Sequence, residues 1–177
     1  MGFIGDSTFF HSGISGLVNA VYNQHNLLLV VMDNHTTAMT GHQPHPSVQH
    51  TALGKNPSRV DIEAIVRGCG VREVRRVSPY KLKPTLKALQ EMKEKSGVRV
   101  IIAEEPCVLF ARRTLKRKPL VTAAVKKQSA AVQECLETLA CPAFYRDGQD
   151  VAVDPNQCTG CMVCIQITDD IKAVKRS

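Results

Sequence analysis

Tryptophan is absent from this 177-residue chain, and three tyrosines and five phenylalanines are all the aromatic surface it has. Little is left on which to stack bases, so no nucleic-acid partner is expected. No apolar run approaches the roughly 20 residues of a membrane span, and no charged stretch leads into an apolar one at the N-terminus. The expectation is a cytoplasmic protein with no membrane partner. A secreted disulfide framework is missing too: of seven cysteines, five crowd into the last 43 residues, which points to a metal site. For that reason the glycosylation-like tripeptide Asn34-His35-Thr36 is set aside. The net charge of +7 is gathered in short blocks, which favours local docking over a general affinity for polyanions.

What is present is organised around Gly5 to Pro46. Phe3 and Ile4 end a short apolar strand, and Gly5-Asp6-Ser7 is expected to turn sharply out of it through the conformational freedom of glycine. Ile14, Leu17, Val18, Val21 and Tyr22 repeat with the spacing of one buried helical face, and Ser12 is placed to cap that helix. Leu27 to Met32 is an unbroken apolar run, as in a parallel strand covered on both faces. Strand, helix and strand in this order form a crossover, which brings Asp6 and Asn34 to the carboxyl ends of parallel strands, where open α/β sheets bind ligands. A carboxylate and an amide oxygen suit magnesium, and a helix N-terminus near Ser12 and Gly13 would add N–H groups for a diphosphate. An Asp after a strand and an Asn in a turn also occur in many α/β proteins that hold no such ion.

At these residues the sequence resembles the thiamine diphosphate motif that opens with Gly-Asp-Gly and closes with Asn-Asn; here it reads Gly5-Asp6-Ser7 and Asp33-Asn34. The wider wording, GDSTFFHSG, VMDNHTTAMTGHQPHP and IIAEEPCVLFARR, resembles the large (alpha) subunit of indolepyruvate ferredoxin oxidoreductase over nearly the whole chain. The resemblance implies that Asp6, Asn34 and the Thr36 carbonyl coordinate Mg2+, with Gly5 and Ser7 beside the diphosphate. Ser7 for glycine and Asp33 for asparagine depart from the pattern at positions whose side chains are not expected ligands. Also implied are oxidative decarboxylation of an aryl pyruvate or other 2-oxoacid, acyl transfer to coenzyme A, electrons passed to ferredoxin, and a beta (small) subunit as partner. The glutamate that activates the cofactor belongs to a separate pyrimidine-binding domain in that family. No residue here takes its role, so no catalytic residue is assigned. With Met1 so close to the motif, the chain is expected to be the C-terminal part of a longer subunit.

Beyond the motif, residues 35–57 hold four of the six histidines with glycine and proline, and are expected to form a long loop. By the resemblance this loop lies over cofactor and substrate, so His42, Gln43 and His45 are candidates to touch a 2-oxoacid; solvated surface histidines are the plainer reading. Asp61 to Gly68 reads as a short helix, and Val71, Val74 and Val77 as a strand. A helix from Pro84 should turn Leu86, Leu89 and Met92 inward, and Val98 to Ile102 should form another buried strand. Glu104 and Glu105 are adjacent on that strand and would point to opposite faces. Cys69 and Cys107 read as small buried apolar residues. Arg112, Arg113, Lys116, Arg117, Lys118, Lys126 and Lys127 make a basic connector, solvated or steering an acidic ferredoxin.

The tail carries Cys158-x2-Cys161-x2-Cys164, which resembles the start of a bacterial ferredoxin motif, with Thr168 where the fourth cysteine would fall. Upstream, Cys141-Pro142 resembles the end of a first such motif, of which Cys135 survives while Val132 and Ser129 replace two ligands. In two-cluster ferredoxins the fourth cysteine of each motif serves the other cluster. By that rule Cys141, Cys158, Cys161 and Cys164 form one complete 4Fe-4S set, and the second set has decayed. Zinc, which also takes Cys-x2-Cys, and an empty site stay open. Asp147-Gly148 reads as a hairpin turn.

The fold class expected is α/β: the C-terminal part of a doubly wound thiamine diphosphate-binding domain over residues 1–112, a basic linker over 113–128, and a degenerate ferredoxin-like α+β iron-sulfur domain over 129–177. Its cofactors would be thiamine diphosphate, Mg2+ and one 4Fe-4S cluster. A small iron-sulfur carrier or subunit-docking module, a non-oxidative thiamine-dependent decarboxylase and an inactive fragment are the alternatives.

Overall fold

The structure, a computed structural model, describes residues 1–55, 58–114, 116 and 120–176. The chain divides into two compact units, Met1–Leu115 and Lys116–Ser177. In the first, β1 (Gly2–Gly5) runs without a loop into a helical stretch: α1 (Asp6–Thr8), a π-helical segment Phe9–Gly13, and α2 (Ile14–Tyr22). Then follow β2 (Leu27–Asp33), a minimal hairpin of β3 (His50–Thr51) and β4 (Gly54–Lys55), α3 (Ile62–Gly68), β5 (Glu73–Val77), α4 (Leu82–Glu94), β6 (Val98–Glu104) and α5 (Val108–Arg113).

The apolar runs pair as one parallel sheet in the order β1-β2-β6-β5. Because side chains alternate along a strand, Val31, Val100 and Ile102 face one side, where Phe9, Leu17, Ile62 and Val66 cover them. Val30 and Ile101 face the other side with Leu28, against Met92 of α4. An α/β unit with a parallel sheet is therefore present, as the alternating sequence pattern implies. Among the described residues no helix is long and apolar enough to cross a membrane.

Several local expectations change. Gly5 is extended, with φ −74°, so no left-handed glycine turn leads out of the strand. Ser12 lies inside the helical stretch, where its hydroxyl donates back to the Thr8 carbonyl, and so it caps nothing. Val18 and Tyr22 point to solvent, and the buried face is Phe9, Leu17 and Ala20. Likewise Leu86 is outward, while Ala88 and Met92 are buried. The buried stripe of α2 is narrower than the apolar repeat implies: Ile14 and Val21 pack partly against the core beside Leu17, and Val18 and Tyr22 fall outside it. Asp61 does cap α3, accepting from the Ala64 amide at 2.8 Å. Asp61→Ala is expected to lower the stability of this unit by about 1 kcal/mol in urea unfolding.

The second unit contains β7 (Val121–Val125), α6 (Ala130–Thr138), the hairpin β8 (Phe144–Asp147) and β9 (Asp150–Val153), and β10 (Ile171–Lys175), which pairs antiparallel with β7. Gly148 sits in the hairpin turn with φ +61°. Its core gathers Val132, Cys135, Phe144, Val151, Cys158, Cys164 and Ile171. Residues 113–128, expected as a basic linker, contain β7: a short apolar run between two basic blocks becomes a strand once β10 is there to pair with it. Arg112 and Arg113 belong to the last turn of α5, whereas Arg117 and Lys118 lie outside the described residues. So does Pro57, at the end of the expected loop.

Candidate functional site

The carboxyl edge of the parallel sheet is where β1 delivers Asp6 and β2 delivers Asp33 and Asn34. Asp6 is 2% exposed. Its Oδ1 accepts the Ser7 amide at 2.7 Å, and its Oδ2 accepts the amides of Asn34 at 3.0 Å and His35 at 2.9 Å. Burial works to raise the Asp6 pKa, but His45 and these amides outweigh it and hold the carboxyl below its ordinary range. His45 is buried, with Nε2 standing 3.0 Å from Asp6 Oδ2. Its ring lies near Phe10, and the Ser47 amide faces Nδ1 at 3.4 Å.

Of the three loop candidates for substrate contact, only His45 therefore reaches the motif. His42 lies beside Phe110, with ring centroids 6.0 Å apart, and Gln43 folds back onto Thr40, whose hydroxyl donates to it at 2.7 Å. Nothing in the sequence spacing marked His45 as a partner of Asp6, because the contact depends on how residues 35–45 close over the edge. The loop does so through backbone bonds between Thr37 and Gln43 and a Ser7–Thr37 hydroxyl pair at 2.9 Å.

Two of the expected magnesium donors, Asp6 and Asn34, stand at this edge, where the Asp6 carboxylate accepts the Asn34 amide. Asn34 Oδ1 accepts the Thr36 amide at 3.1 Å, a tight turn that also orients the buried Thr36. Asp6, Asn34 and the Thr36 carbonyl are all hard oxygen donors, and space is open where a side chain at Gly5 would project. These residues fit a magnesium diphosphate group. A helix N-terminus at Ser12 and Gly13 does not exist, so the N–H groups near the edge come from the first turn at Asp6 and Ser7. Beside Asn34 opens a cavity of about 510 Å3, with Met32, Ile101 and Leu89 in its apolar lining and Glu105 and Cys107 at its polar end.

Asp33 is the unusual member. It is 5% exposed, and its Oδ1 has no hydrogen-bond partner. Burial above all pushes its pKa up to about 6; the His35 ring opposes the shift and the nearby Asp6 adds to it. A folded-state value above the unfolded 3.8 means that stability is fully present below pH 4 and is lost as pH rises toward 6. Asp33→Asn should then stabilise the metal-free unit at pH 7 by about 2 kcal/mol. Urea unfolding in chelator checks this, and the gain should shrink toward zero at pH 4.

In the second unit Cys141, Cys158, Cys161 and Cys164 all line one cavity of about 160 Å3, together with Ala123, Phe144 and Val153. Burial raises Cys158, but the Thr122 hydroxyl and the Ala123 and Gly160 amides more than offset it and draw its thiol down. Cys164 is pushed up to about 11 by burial and by Cys161 beside it. Cys135 is completely buried and is not part of the lining. The other positions of the decayed set have local structural roles. Ser129 caps α6 by accepting the Val132 amide at 3.3 Å, Val132 is core, and Thr168 accepts the Asp170 amide ahead of β10. In the first unit, Cys69 and Cys107 are only half-buried; burial raises the Cys69 thiol, and Cys107 precedes α5 without a side-chain capping bond.

With this geometry in hand, relatedness is informative. Residues 1–103 match the family described as thiamine pyrophosphate enzyme, C-terminal TPP binding domain. The chain is 44% identical over 173 residues to the indolepyruvate oxidoreductase subunit IorA of Archaeoglobus fulgidus, covering 97% of this chain and 28% of that protein. It is 42% identical over 165 residues to the subunit IorA of Methanothermobacter thermautotrophicus, and 39% identical over 170 residues to that of Pyrococcus horikoshii, covering 93% of this chain and 26% of each relative. The chain thus spans little more than a quarter of the length of these curated relatives. Since the matched residues make up more than half of it and include all but the last residue of the parallel sheet, the chain belongs to the thiamine pyrophosphate enzyme family and carries its C-terminal TPP binding domain.

Proposed function

We propose that this chain is the cofactor- and cluster-bearing part of a thiamine diphosphate-dependent 2-oxoacid oxidoreductase of the indolepyruvate type. The observation that carries the reading is a four-cysteine cavity in a chain that also carries the family cofactor domain: a non-oxidative decarboxylase has no use for an electron outlet. Asp6, Asn34 and the Thr36 carbonyl would hold Mg2+, with Gly5 and Ser7 near the diphosphate. When bound, thiamine diphosphate supplies the carbanion chemistry that cleaves carbon dioxide from a 2-oxoacid. The chain's own residues would bind and orient it: Asp6 ties the β1 edge to the Asn34 and His35 amides, and His45 packs its Nε2 3.0 Å from Asp6.

Cys141, Cys158, Cys161 and Cys164 would ligate one 4Fe-4S cluster. The double x2 spacing of Cys158, Cys161 and Cys164 favours the cluster over a zinc site. The exposed Arg113, Lys116, Lys126 and Lys127 suit docking of an acidic ferredoxin. Coenzyme A as acyl acceptor, a beta subunit as partner and a cytoplasmic setting complete the proposal.

Anaerobic reconstitution with iron and sulfide, followed by calorimetry with thiamine diphosphate and magnesium, tests it. About four irons and four sulfides per chain together with magnesium-dependent binding are expected. Thiamine binding without iron would favour the decarboxylase. Iron without thiamine would favour a carrier module, and neither an inactive fragment.

A further inference from the structure

We infer that Asp33, His35 and Glu104 form a binding site for one divalent transition-metal ion, separate from the magnesium donors Asp6, Asn34 and Thr36. The sheet register creates it: Asp33 at the end of β2 is paired with Glu104 at the end of β6, and His35 lies two residues beyond Asp33. His35 takes the left-handed conformation, φ +62°, which is uncommon for a residue with a side chain. In that conformation its amide reaches Asp6 while its ring turns to the acidic pair.

Its Nε2 stands 3.1 Å from Glu104 Oε1 and 3.8 Å from Asp33 Oδ1, and the three ligand atoms all lie within 4.8 Å of one another. A single ion could meet all three at the roughly 2.0–2.2 Å usual for imidazole and carboxylate ligands after shifts of a few tenths of an ångström.

An acidic cluster alone would not carry this. The independent observation is Asp33 Oδ1, an oxygen that is buried, has no hydrogen-bond partner and is one of the three converging atoms. A buried carboxylate oxygen without a donor is costly, and an ion would satisfy it. Glu104 is held ready by Arg76, which takes the other oxygen, Oε2, at 2.5 Å and shares its own charge with Asp61 and Glu63. Access is present as well: His35 and Glu104 are part-exposed, and His35 lines a cavity of about 320 Å3 that also carries His50, Lys55 and Arg59. Open coordination positions facing that cationic lining suit an anionic oxygen ligand. One imidazole and two carboxylates favour manganese, cobalt or zinc over magnesium, and manganese in particular avoids thiolates, so the cysteines of the second unit do not compete for it.

The test is a titration of the full chain with Mn2+, without thiamine diphosphate or magnesium, read from the paramagnetic resonance signal of the free ion. One Mn2+ per chain is expected, with affinity weakened about ten-fold or more in Glu104→Gln and in His35→Gly and unchanged in Asn34→Ala. Glycine keeps the left-handed backbone at residue 35 and removes only the ring, so this variant decides the matter if Glu104→Gln fails to fold. No bound Mn2+ at millimolar ion overturns the assignment. Binding lost in Asn34→Ala but kept in both other variants also overturns it, because the ion would then sit on the magnesium donors. The thiamine reading fails separately, through calorimetry, and the Mn2+ count does not depend on it.

Discussion

Asp6→Ala is expected to abolish magnesium-dependent thiamine diphosphate binding, an affinity loss of about 100-fold or more. The size follows from the number of roles this one carboxylate combines. It is the only charged oxygen among the three expected magnesium donors, and it is also the acceptor for the amides of Ser7, Asn34 and His35. Removing it takes away the ion's principal negative charge and leaves buried amides without a partner, at about 1–3 kcal/mol each. Asp6→Asn separates the two effects: its amide oxygen still accepts from the loop, so folding should be largely kept while magnesium affinity falls. Calorimetry on both variants, with thermal unfolding alongside, reads the difference. Unchanged affinity in Asp6→Ala would remove the metal assignment.

The second large effect is expected in the cysteine cavity. Cys141→Ser should cost the stable cluster, reducing iron from about four per chain to a labile remnant, whereas Cys135→Ala should leave the iron count near four. The contrast is sharp because both cysteines lie close together in sequence and belong to the same core cluster. Only Cys141 lines the cavity with Cys158, Cys161 and Cys164, while Cys135, on the buried face of α6, is sealed in the core. Iron, sulfide and the resonance spectrum of the reduced protein measure it. Loss of iron in Cys135→Ala with retention in Cys141→Ser would reverse the ligand assignment.

Much of the first unit could be read from residues alone, for specific reasons. Leu27 to Met32 and Val98 to Ile102 are apolar at every turn of the pleat because both faces of β2 and β6 are covered, and that pattern needs no partner to be recognised. Asp61 ahead of an apolar helix is a local signal of the same kind. Ser12 offers a cap at the right distance from an amphipathic repeat, which places the expected start of the first helix later than the true one at Asp6. A helix that leaves β1 directly and then widens into a π segment has no such local signature. Strand β7 escaped notice because its pairing with β10 spans some 50 residues and its own five residues are short and flanked by lysine and arginine. Tertiary approach also explains the missed site residues. His45 against Asp6 and Glu104 against His35 are meetings of sequence-distant groups, which no spacing rule encodes. The four cysteines, by contrast, were legible because the ferredoxin spacing is itself a statement about which ones share a cavity.

One consequence of the strand order concerns handling of the chain. Among the described residues, strand β1 of β1-β2-β6-β5 is bonded to a neighbour on one side only, and Phe3 and Met32, near this edge, are exposed at 60% and 47%. An open row of amides and carbonyls next to uncovered aromatic and thioether groups is a template for further strand addition. Without lysine or proline along Gly2–Gly5 to blunt it, that edge would seed self-association as protein concentration rises. A charged residue in place of Phe3 is the natural remedy, leaving the ligand edge at Asp6 untouched.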